Sequence, residues 1–490
     1  MSTSPPLESG IALRDEDHFD PDHDDHRDDS LHADAESQNL LSNGTGGDVR
    51  HDPDDGDDEE RPDTRERWDY PPINKYRYFA VNFSLFILGM HDGCIGALLP
   101  FIEKYYDINY AVVSTMFLSP FLGYVTAALS NNWVHYKVGQ RGVAFLGPTF
   151  RLIGYIPLAF HPPFAVIPIL FMLVGFGNGI EDSAYNAWVG NMQHTNELLG
   201  IIHGAFGLGG TVAPLIASLL VAKLEFPWYT FYYLMIGAVC VEFAFGLWAF
   251  WGATGALYRE KLRKESDSHR DGVTTRVVLA EPIVWLAAIF LLAYAGVEVS
   301  LGGWIPTFMI EVRKADPFLA GVTATLFWFG LSLGRIVLGF VTGKVGEKLA
   351  ITAYLLLCIA LQLLYWFIPS MVGAMIFVGL LGFFLGPLFP ATVVVMTKLL
   401  PQAYHISAIG FASALGGGGA TVLPFAVGAI AQGHGVQVLQ PIVLVSLIFL
   451  VYIWLSIPRS RKTGKTKEGG FSIGDYLSGM FGRVAGGTEN

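Results

Sequence analysis

Long apolar segments separated by short polar loops fill the chain from about residue 76 to residue 458. A membrane-spanning helix needs about 20 mainly apolar residues. Only helices and closed barrels satisfy their backbone hydrogen bonds in lipid, and these segments are too long for barrel strands. Twelve transmembrane spans are therefore predicted, in chain order at 76–101, 110–132, 141–161, 164–190, 198–222, 228–252, 282–310, 318–342, 349–368, 370–397, 405–431 and 437–458.

The two halves of this pattern resemble each other at a nearly fixed offset. The sequence KVGQR at 137–141 recurs 207 residues later as KVGEK at 344–348. Two further sets match at offsets of 207 and 206, namely Gly175 and Gly179 with Gly382 and Gly386, and Asp92, Gly96 and Pro100 with Glu298, Gly302 and Pro306. Coincident offsets in three elements predict a duplicated six-helix unit with the halves in parallel orientation.

The predicted fold is an all-α membrane protein with twelve transmembrane helices in two pseudo-symmetric six-helix bundles. The bundles occupy residues 75–252 and 282–458, and residues 253–281 form a cytosolic linker, the longest polar interruption. With the N-terminus in the cytosol, the inner loops and C-terminal tail hold seventeen Lys or Arg residues and the outer loops four. The positive-inside rule thus predicts that both termini, including the tail at 459–490, are cytosolic. A plasma membrane or a vacuolar membrane is expected.

Composition separates the N-terminus from this membrane body. The chain is 52% hydrophobic and only 15% charged, which is too apolar for a soluble protein. Residues 1–70 nevertheless hold 23 of the 43 acidic residues and six basic ones. Because this segment has almost no aromatic or branched apolar side chains, it is predicted to be a disordered acidic cytosolic tail. Its Asp and His residues lack a fixed ligand spacing, so no metal site and no cofactor is expected.

The layout resembles that of the major facilitator superfamily. The basic loops after spans two and eight resemble that family's loop motif, an acid-basic-x-Gly-basic-basic pattern. The matching residues are Lys137, Gly139 and Arg141 in the first copy, and Lys344, Gly346 and Lys348 in the second, with Arg335 upstream. Tyr136 and Gly343 stand where the family has its acid. The resemblance implies a secondary transporter that works by alternating access.

Two spans point to different branches of that family. Span four resembles the fucose permease-like sugar–proton symporters, which place a carboxylate four residues before an Asn, as Asp182 and Asn186 are placed. Span five follows the spacing of the family's antiporter motif, at Gly200, Gly209, Ala213, Pro214 and Ala217. Close packing of helices through small residues gives the same pattern. A symporter and a proton-driven efflux antiporter for a metabolite or drug-like compound both remain open.

Two adjacent acids, Glu181 and Asp182, interrupt the apolar span four. A charge at the centre of a membrane helix costs about 2.5–3.5 kcal/mol on the insertion scale, so a functional role is the default hypothesis. Asn178, Asp182 and Asn186 repeat at four-residue steps and predict one polar stripe, which the resemblance directs at the central cavity. Glu181 is turned about 100° away and is expected to meet a neighbouring helix. For each acid two roles stay open. It either binds the coupled proton or the substrate, or it is a structural hydrogen-bond hub.

Three further residues in the spans are candidates for the same site. His203 in span five matches Asp182 in depth, so the two are predicted to pair; otherwise His203 is a packing histidine. Asp92 and Glu298 occupy repeat-equivalent positions in spans one and seven, which line the cavity in the family. They are predicted to bracket the substrate, unless each caps a kink at its neighbouring glycines.

Three other charged residues receive structural interpretations. Arg151 in span three and Glu242 in span six lie at similar depth in helices that do not line the cavity in the family. They are predicted to form a structural ion pair. Arg335 is expected to brace the loop between spans eight and nine.

The expected partners are a small organic solute, sugar-like by resemblance, together with protons and the lipid bilayer. No nucleic-acid partner is expected, and the protein is predicted to be monomeric. An intramembrane aspartyl protease needs two facing aspartates, for which Asp92 and Asp182 are candidates. In that family, however, the catalytic Asp directly follows Gly-x-Gly, whereas Gly179 is separated from Asp182 by two residues. An enzyme is therefore not expected, whereas a passive channel and a solute-sensing receptor stay open beside a carrier.

Overall fold

The structure is a computed structural model that describes residues 66–268, 275–401 and 404–458. The predictions for residues 1–65 and 459–490 lie outside these ranges. The described helices, in chain order, are α1 (Ile73–Tyr106), α2 (Tyr110–Val113), α3 (Thr115–Ala159), α4 (Ile167–Gly190), α5 (Thr195–Ser218), α6 (Thr230–Ala249), α7 (Gly255–Ser268), α8 (Thr275–Val278), α9 (Pro282–Glu311), α10 (Pro317–Val345), α11 (Glu347–Phe367), α12 (Met371–Leu385), α13 (Leu388–Leu399), α14 (His405–His434) and α15 (Leu439–Ser456).

Eleven helical segments of the described chain are long and apolar enough to cross a membrane. One of them, at 110–159, contains both span two and span three, because α3 continues through the loop between them. The helix is interrupted at Gly139, whose φ of 70° and ψ of −165° lie outside the helical region, so the segment amounts to two crossings. The prediction of an all-α membrane protein with two six-helix bundles is confirmed.

Span ten is divided into α12 and α13 at Gly386 and Pro387. A proline inside a helix removes a backbone donor and clashes with the carbonyl four residues earlier. The break therefore follows from Pro387.

The internal repeat appears as the same helix contact in each half. A Cβ atom on Gly123 of α3 would lie 2.1 Å from the carbonyl oxygen of Met172 in α4. A Cβ atom on Gly330 of α10 would lie 2.0 Å from the carbonyl oxygen of Gly379 in α12. Both members of the second contact are 207 residues after those of the first. Spans two and four thus pack as spans eight and ten do, through a glycine that lets the backbones approach.

The two halves contact each other through small residues on four helices. A Cβ atom on Gly96 of α1 would lie 2.2 Å from the carbonyl oxygen of Gly302 in α9. One on Gly207 of α5 would lie 3.0 Å from Cβ of Ser332 in α10. The contact between Gly207 and Ser332 lies in the middle of its two helices. The contact between Gly96 and Gly302 lies toward the ends of α1 and α9 that lead into residues 107–114 and 312–316. The halves are therefore held together in the middle of the helices and at the side where these two segments lie.

The chain is ordered against the first bundle before residue 70. The carbonyl oxygen of Glu66 accepts a 2.9 Å hydrogen bond from the backbone N–H of Gln193. The buried Asn74 side chain donates to the carbonyl oxygen of Arg67 at 3.0 Å. Residues 66–70, which the predicted tail at 1–70 included, thus form hydrogen bonds with the first bundle.

Candidate functional site

A fully buried guanidinium group lies at the centre of the first bundle. Arg151 of α3 pairs with Glu181 of α4 through Nη2 and Oε2 at 2.8 Å. It also pairs with Glu242 of α6 through Nη1 and Oε1 at 2.5 Å. Ser84 of α1 donates to Oε2 of Glu181 at 2.7 Å. We call Arg151, Glu181 and Glu242 the arginine cluster; with Ser84 it connects four helices.

The predicted ion pair between Arg151 and Glu242 is present, and the guanidinium group has a further acidic partner that the prediction did not include. Glu181 is a second carboxylate on the same guanidinium, and it reaches a neighbouring helix as its helical angle predicts. The side chains of Arg151, Glu181 and Glu242 are 0%, 1% and 4% exposed. The cluster therefore has one more acid than base in a region closed to solvent.

The predicted polar stripe on span four is divided between two faces. Arg151 Nε donates to Oδ1 of Asn178 at 2.7 Å, and Tyr185 donates to Oε1 of Glu181 at 3.3 Å. Both Asn178 and Tyr185 are buried and belong to the arginine cluster's side of α4. Each four-residue step along an α-helix advances about 40° beyond a full turn. Asn178 and Asn186 therefore do not face the same way, and the prediction of one stripe is wrong for Asn178.

Asp182 and Asn186 form the other polar face of α4. Nδ2 of Asn186 donates to Oδ1 of Asp182 at 2.8 Å, and both side chains are partly buried. An amide donor one turn away fixes the orientation of the carboxylate. Its second oxygen remains available to a ligand or a proton.

Glu298 of α9 is paired, whereas its repeat-equivalent Asp92 of α1 has no ion pair with any described residue. Arg335 of α10 donates through Nη2 to Oε1 and Oε2 of Glu298 at 2.9 and 3.2 Å. The prediction that Arg335 braces the loop between spans eight and nine is wrong. Arg335 precedes the end of α10 at Val345 by ten residues, a distance of about 15 Å along the helix. Its guanidinium group is therefore within the span.

Asp92 lies between the acids of the two halves. It is partly buried, and within the described ranges no hydrogen bond or ion pair to it is found. The charges of Asp182 and Glu298 both act on its carboxylate. Tyr124 of α3 is in turn within reach of the charges of Asp92 and Asp182. We call Asp92, Asp182 and Glu298 the central acids.

The structure does not bring His203 and Asp182 together as a pair. The charged group that acts on His203 is Arg335 of the second half. Asp182 instead accepts its hydrogen bond from Asn186. Equal depth along two neighbouring helices was the basis of the prediction, but depth does not determine which way each helix turns its side chain.

Each loop motif contacts the chain segment that directly follows the last helix of its own bundle, after α6 in the first half and after α15 in the second. Gly139 and Gly346 both have positive φ, 70° and 95°. The backbone N–H of Arg141 donates to the carbonyl oxygen of Ala253 at 3.0 Å, and Lys348 Nζ donates to that of Ile457 at 2.6 Å. Lys137 and Lys344 are exposed. The motif glycines thus allow turns that seat the loops on neighbouring chain segments.

The small residues of span five have a packing partner. A Cβ atom on Gly209 would lie 2.0 Å from the carbonyl oxygen of Phe86 in α1. Ala213 and Ala217 are fully buried. The antiporter-like spacing in this span is therefore matched by close contact between α5 and α1.

Sequence reasoning missed several polar side chains at these sites. Ser84 and Tyr124 carry no sequence pattern that distinguishes them from other polar residues in the spans. Tyr294 lies within 3.5 Å of Arg335 Nη2 and is four residues before Glu298. Only the last could have been identified, because a four-residue spacing places two side chains on one helix face.

Comparisons with known proteins agree with this architecture. The family model described as Major Facilitator Superfamily matches residues 81–380 and 313–485. Bypass of stop codon protein 6 from Saccharomyces cerevisiae is 28% identical over 417 residues, which cover 80% of this chain and 84% of that protein. The glucose/mannose transporter GlcP of Bacillus subtilis is 22% identical over 389 residues, which cover 77% and 93%.

A solved structure shows the same fold. The crystal structure of a D-xylose-proton symporter aligns with a TM-score of 0.62 at 12% identity and covers 79% of this chain and 98% of that one. The family match extends over most of the chain and includes both helical halves. The chain belongs to the major facilitator superfamily and is a multi-pass membrane transporter, not an enzyme.

Proposed function

We propose that this protein is a proton-coupled secondary transporter for a small, neutral, polyhydroxylated solute, working as a symporter by alternating access. The observation that carries the proposal is the group of central acids, which come from both halves and include two carboxylates without an ion pair among the described residues. The named relatives support the solute class and the coupling ion, since they include a glucose/mannose transporter and a D-xylose-proton symporter.

The charges of the central acids favour binding of a proton. Of the three, only Glu298 has a guanidinium partner within the described residues. Among the described residues Asp92 and Asp182 have none, and the charge of Asp182 acts on Asp92. Two such carboxylates in a membrane protein attract a cation, and intramembrane acids commonly mark ion and proton pathways.

Polar and aromatic groups that suit a hydroxylated ring lie on α4 and on the neighbouring helices α3 and α10. Asn186 and Tyr124 can exchange hydrogen bonds with hydroxyl groups. Trp328 of α10 packs over Gly210 and Gly302, and its buried Nε1 has no hydrogen-bond partner in the described chain. The unused Nε1 donor of Trp328 suits a hydroxyl group of a ligand.

Both termini are assigned to the cytosol, in a plasma membrane or a vacuolar membrane, and the working unit is taken as a monomer. With this orientation the small-residue contacts between the halves lie in the middle and at the outer side of the membrane. The arrangement in the structure then corresponds to an inward-facing state.

Reconstituted full-length protein tests the proposal. Proteoliposomes with an inwardly directed proton gradient should accumulate labelled glucose, mannose or xylose above the external concentration, and a protonophore should abolish the accumulation. A matched arm with a sodium gradient and no pH gradient should give no accumulation. Accumulation driven by sodium alone, or only downhill flux of all three sugars, would refute proton symport of this solute class.

A further inference from the structure

The arginine cluster contains two carboxyl groups for one guanidinium group. If all three were ionised, the cluster would carry one uncompensated negative charge in a region where its side chains are at most 4% exposed. A buried charge without a partner is strongly unfavourable. One proton on either carboxyl group makes the cluster neutral.

The contacts of the two acids with Arg151 show where such a proton fits. Glu181 and Glu242 lie against neighbouring nitrogens of one guanidinium group, at 2.8 and 2.5 Å, so their carboxyl groups lie side by side. Two carboxyl oxygens form a hydrogen bond only when one of them carries a hydrogen. Oε2 of Glu242 is also buried without a donor from any described residue.

From this geometry we infer that the arginine cluster is a buried proton-binding site, in which Glu181 and Glu242 share one proton beside Arg151. The proton is exchanged with solvent and no bond other than O–H is made or broken. The inference deepens the proposed function, on which its role in transport rests, by identifying a second proton site apart from the central acids.

Groups on every neighbouring helix face the cluster. On α1 these are Ser84 and, within range of the Arg151 charge, His91 and Asp92. On α4 they are Asn178 and Tyr185, and on α3 Tyr155 is acted on by both Arg151 and Glu242. None of them adds a second full positive charge, so the shared proton is what balances the second carboxylate.

The cluster is electrostatically connected to the central acids. The charge of Arg151 acts on both Asp92 and Asp182. Loss of the shared proton leaves Glu181 and Glu242 both ionised around that guanidinium and lowers its effect on the central acids. Proton release at the cluster and ligand binding at the central acids therefore influence each other reciprocally.

Infrared spectroscopy tests the site independently of transport. Purified full-length protein at neutral pH should show the carbonyl stretch of a buried protonated carboxyl group. Glu181→Gln and Glu242→Gln should each lose that band, because the remaining carboxylate pairs with Arg151 one to one. The control Glu225→Gln, at an exposed loop acid, should keep it. An unchanged band in both cluster variants overturns the inference.

Thermal stability in detergent gives a second readout. Each single Gln variant should unfold at or near the wild-type temperature, since one carboxylate still neutralises Arg151. The double variant Glu181→Gln/Glu242→Gln should unfold at a lower temperature, and adding Arg151→Met should restore it. A single variant as unstable as the double variant contradicts the shared proton, because it would mean that both carboxylates are ionised and needed.

Transport separates the two proposals. Glu242→Gln should lose proton-driven accumulation while it keeps the exchange of labelled for unlabelled sugar across the membrane, which needs no net proton movement. If wild-type protein shows no proton coupling but the infrared band behaves as expected, the proposed function fails and the proton site stands. If coupling is present but the band does not respond to either substitution, the proton is held elsewhere.

Discussion

Arg335 in the second half contacts a single acid, Glu298, and the stability of this pair can be tested on its own. The side chains are 16% and 9% exposed. Arg335→Met should leave Glu298 without its ion-pair partner. Loss of one partner of a buried pair lowers the free energy of unfolding by about 3–5 kcal/mol, and a partly exposed pair lies toward the lower end of that range. The double variant Arg335→Met/Glu298→Gln should recover most of that loss in a detergent unfolding assay. A double-mutant cycle without coupling energy would show that the contact does not form.

Asp182 gives the corresponding test of proton coupling at the residue scale. Asp182→Asn keeps the shape and the acceptor oxygen for Asn186, but it cannot gain and lose a proton. Uphill, pH-driven uptake should fall to the background level while the amount of protein in the membrane stays near wild type. Glu225→Gln serves as the acid-to-amide control. Undiminished uphill transport by the Asn variant would remove Asp182 from the coupling mechanism.

Helical periodicity predicted which face of its helix each acid lies on, but it did not predict which residue the acid contacts. The angle between Glu181 and Asp182 followed from 3.6 residues per turn, and it correctly placed them on different faces. That Glu181 meets Arg151, which is 30 residues earlier in the chain, depends on how α3 is rotated against α4. Neither periodicity nor spacing determines that rotation, and for this reason the pairing of His203 and the position of Arg335 were wrong.

The loop after span two shows at the scale of one element why glycine is needed in the motif. Gly139 has φ 70° and ψ −165°, a combination open essentially to glycine alone. A Cβ atom there would also lie 2.5 Å from the carbonyl oxygen of Ala253. Gly139→Ala should therefore cost about 1–3 kcal/mol in the free energy of unfolding.

A neighbouring glycine provides the control for that substitution. Gly343 lies in the last turn of α10, and a Cβ atom on it would meet nothing within 4 Å. Gly343→Ala should be neutral or slightly stabilising because alanine is the better helix former. Equal unfolding temperatures for the two alanine variants would contradict the strained turn at Gly139.

Most helices were predictable because apolar runs of about 20 residues have few alternatives in a membrane. The positions at which these helices are interrupted were harder to predict. Pro387 separates α12 from α13, whereas Pro306 lies inside the continuous α9, so a proline in an apolar run did not by itself predict a break. The continuation of α3 through residues 133–138, up to the interruption at Gly139, was also missed, because polar loop residues were taken as the end of a helix.

At the scale of the whole molecule, alternating access requires the two halves to move against each other. Cysteines at positions 207 and 332 would link α5 to α10. The present Cβ separation of 3.0 Å at this contact is slightly below the usual disulfide range of about 3.5–4.5 Å, so a small shift suffices. The background should carry Cys240→Ser, since Cys240 is exposed.

Oxidation of the double-cysteine protein should stop sugar flux, and reduction should restore it. Each single-cysteine variant should transport under both conditions. Full transport by a protein shown to be cross-linked would mean that these helices do not separate during the cycle.

The most direct test of the account is the direction in which protons move when sugar is added. Full-length protein in proteoliposomes, with no initial pH gradient and an internal pH indicator, is given an inwardly directed gradient of the sugar that it transports best. Symport predicts that the interior acidifies as the sugar enters, and that Asp182→Asn abolishes the pH change. Alkalinisation of the interior would establish antiport instead, and sugar entry without any pH change would contradict proton coupling altogether.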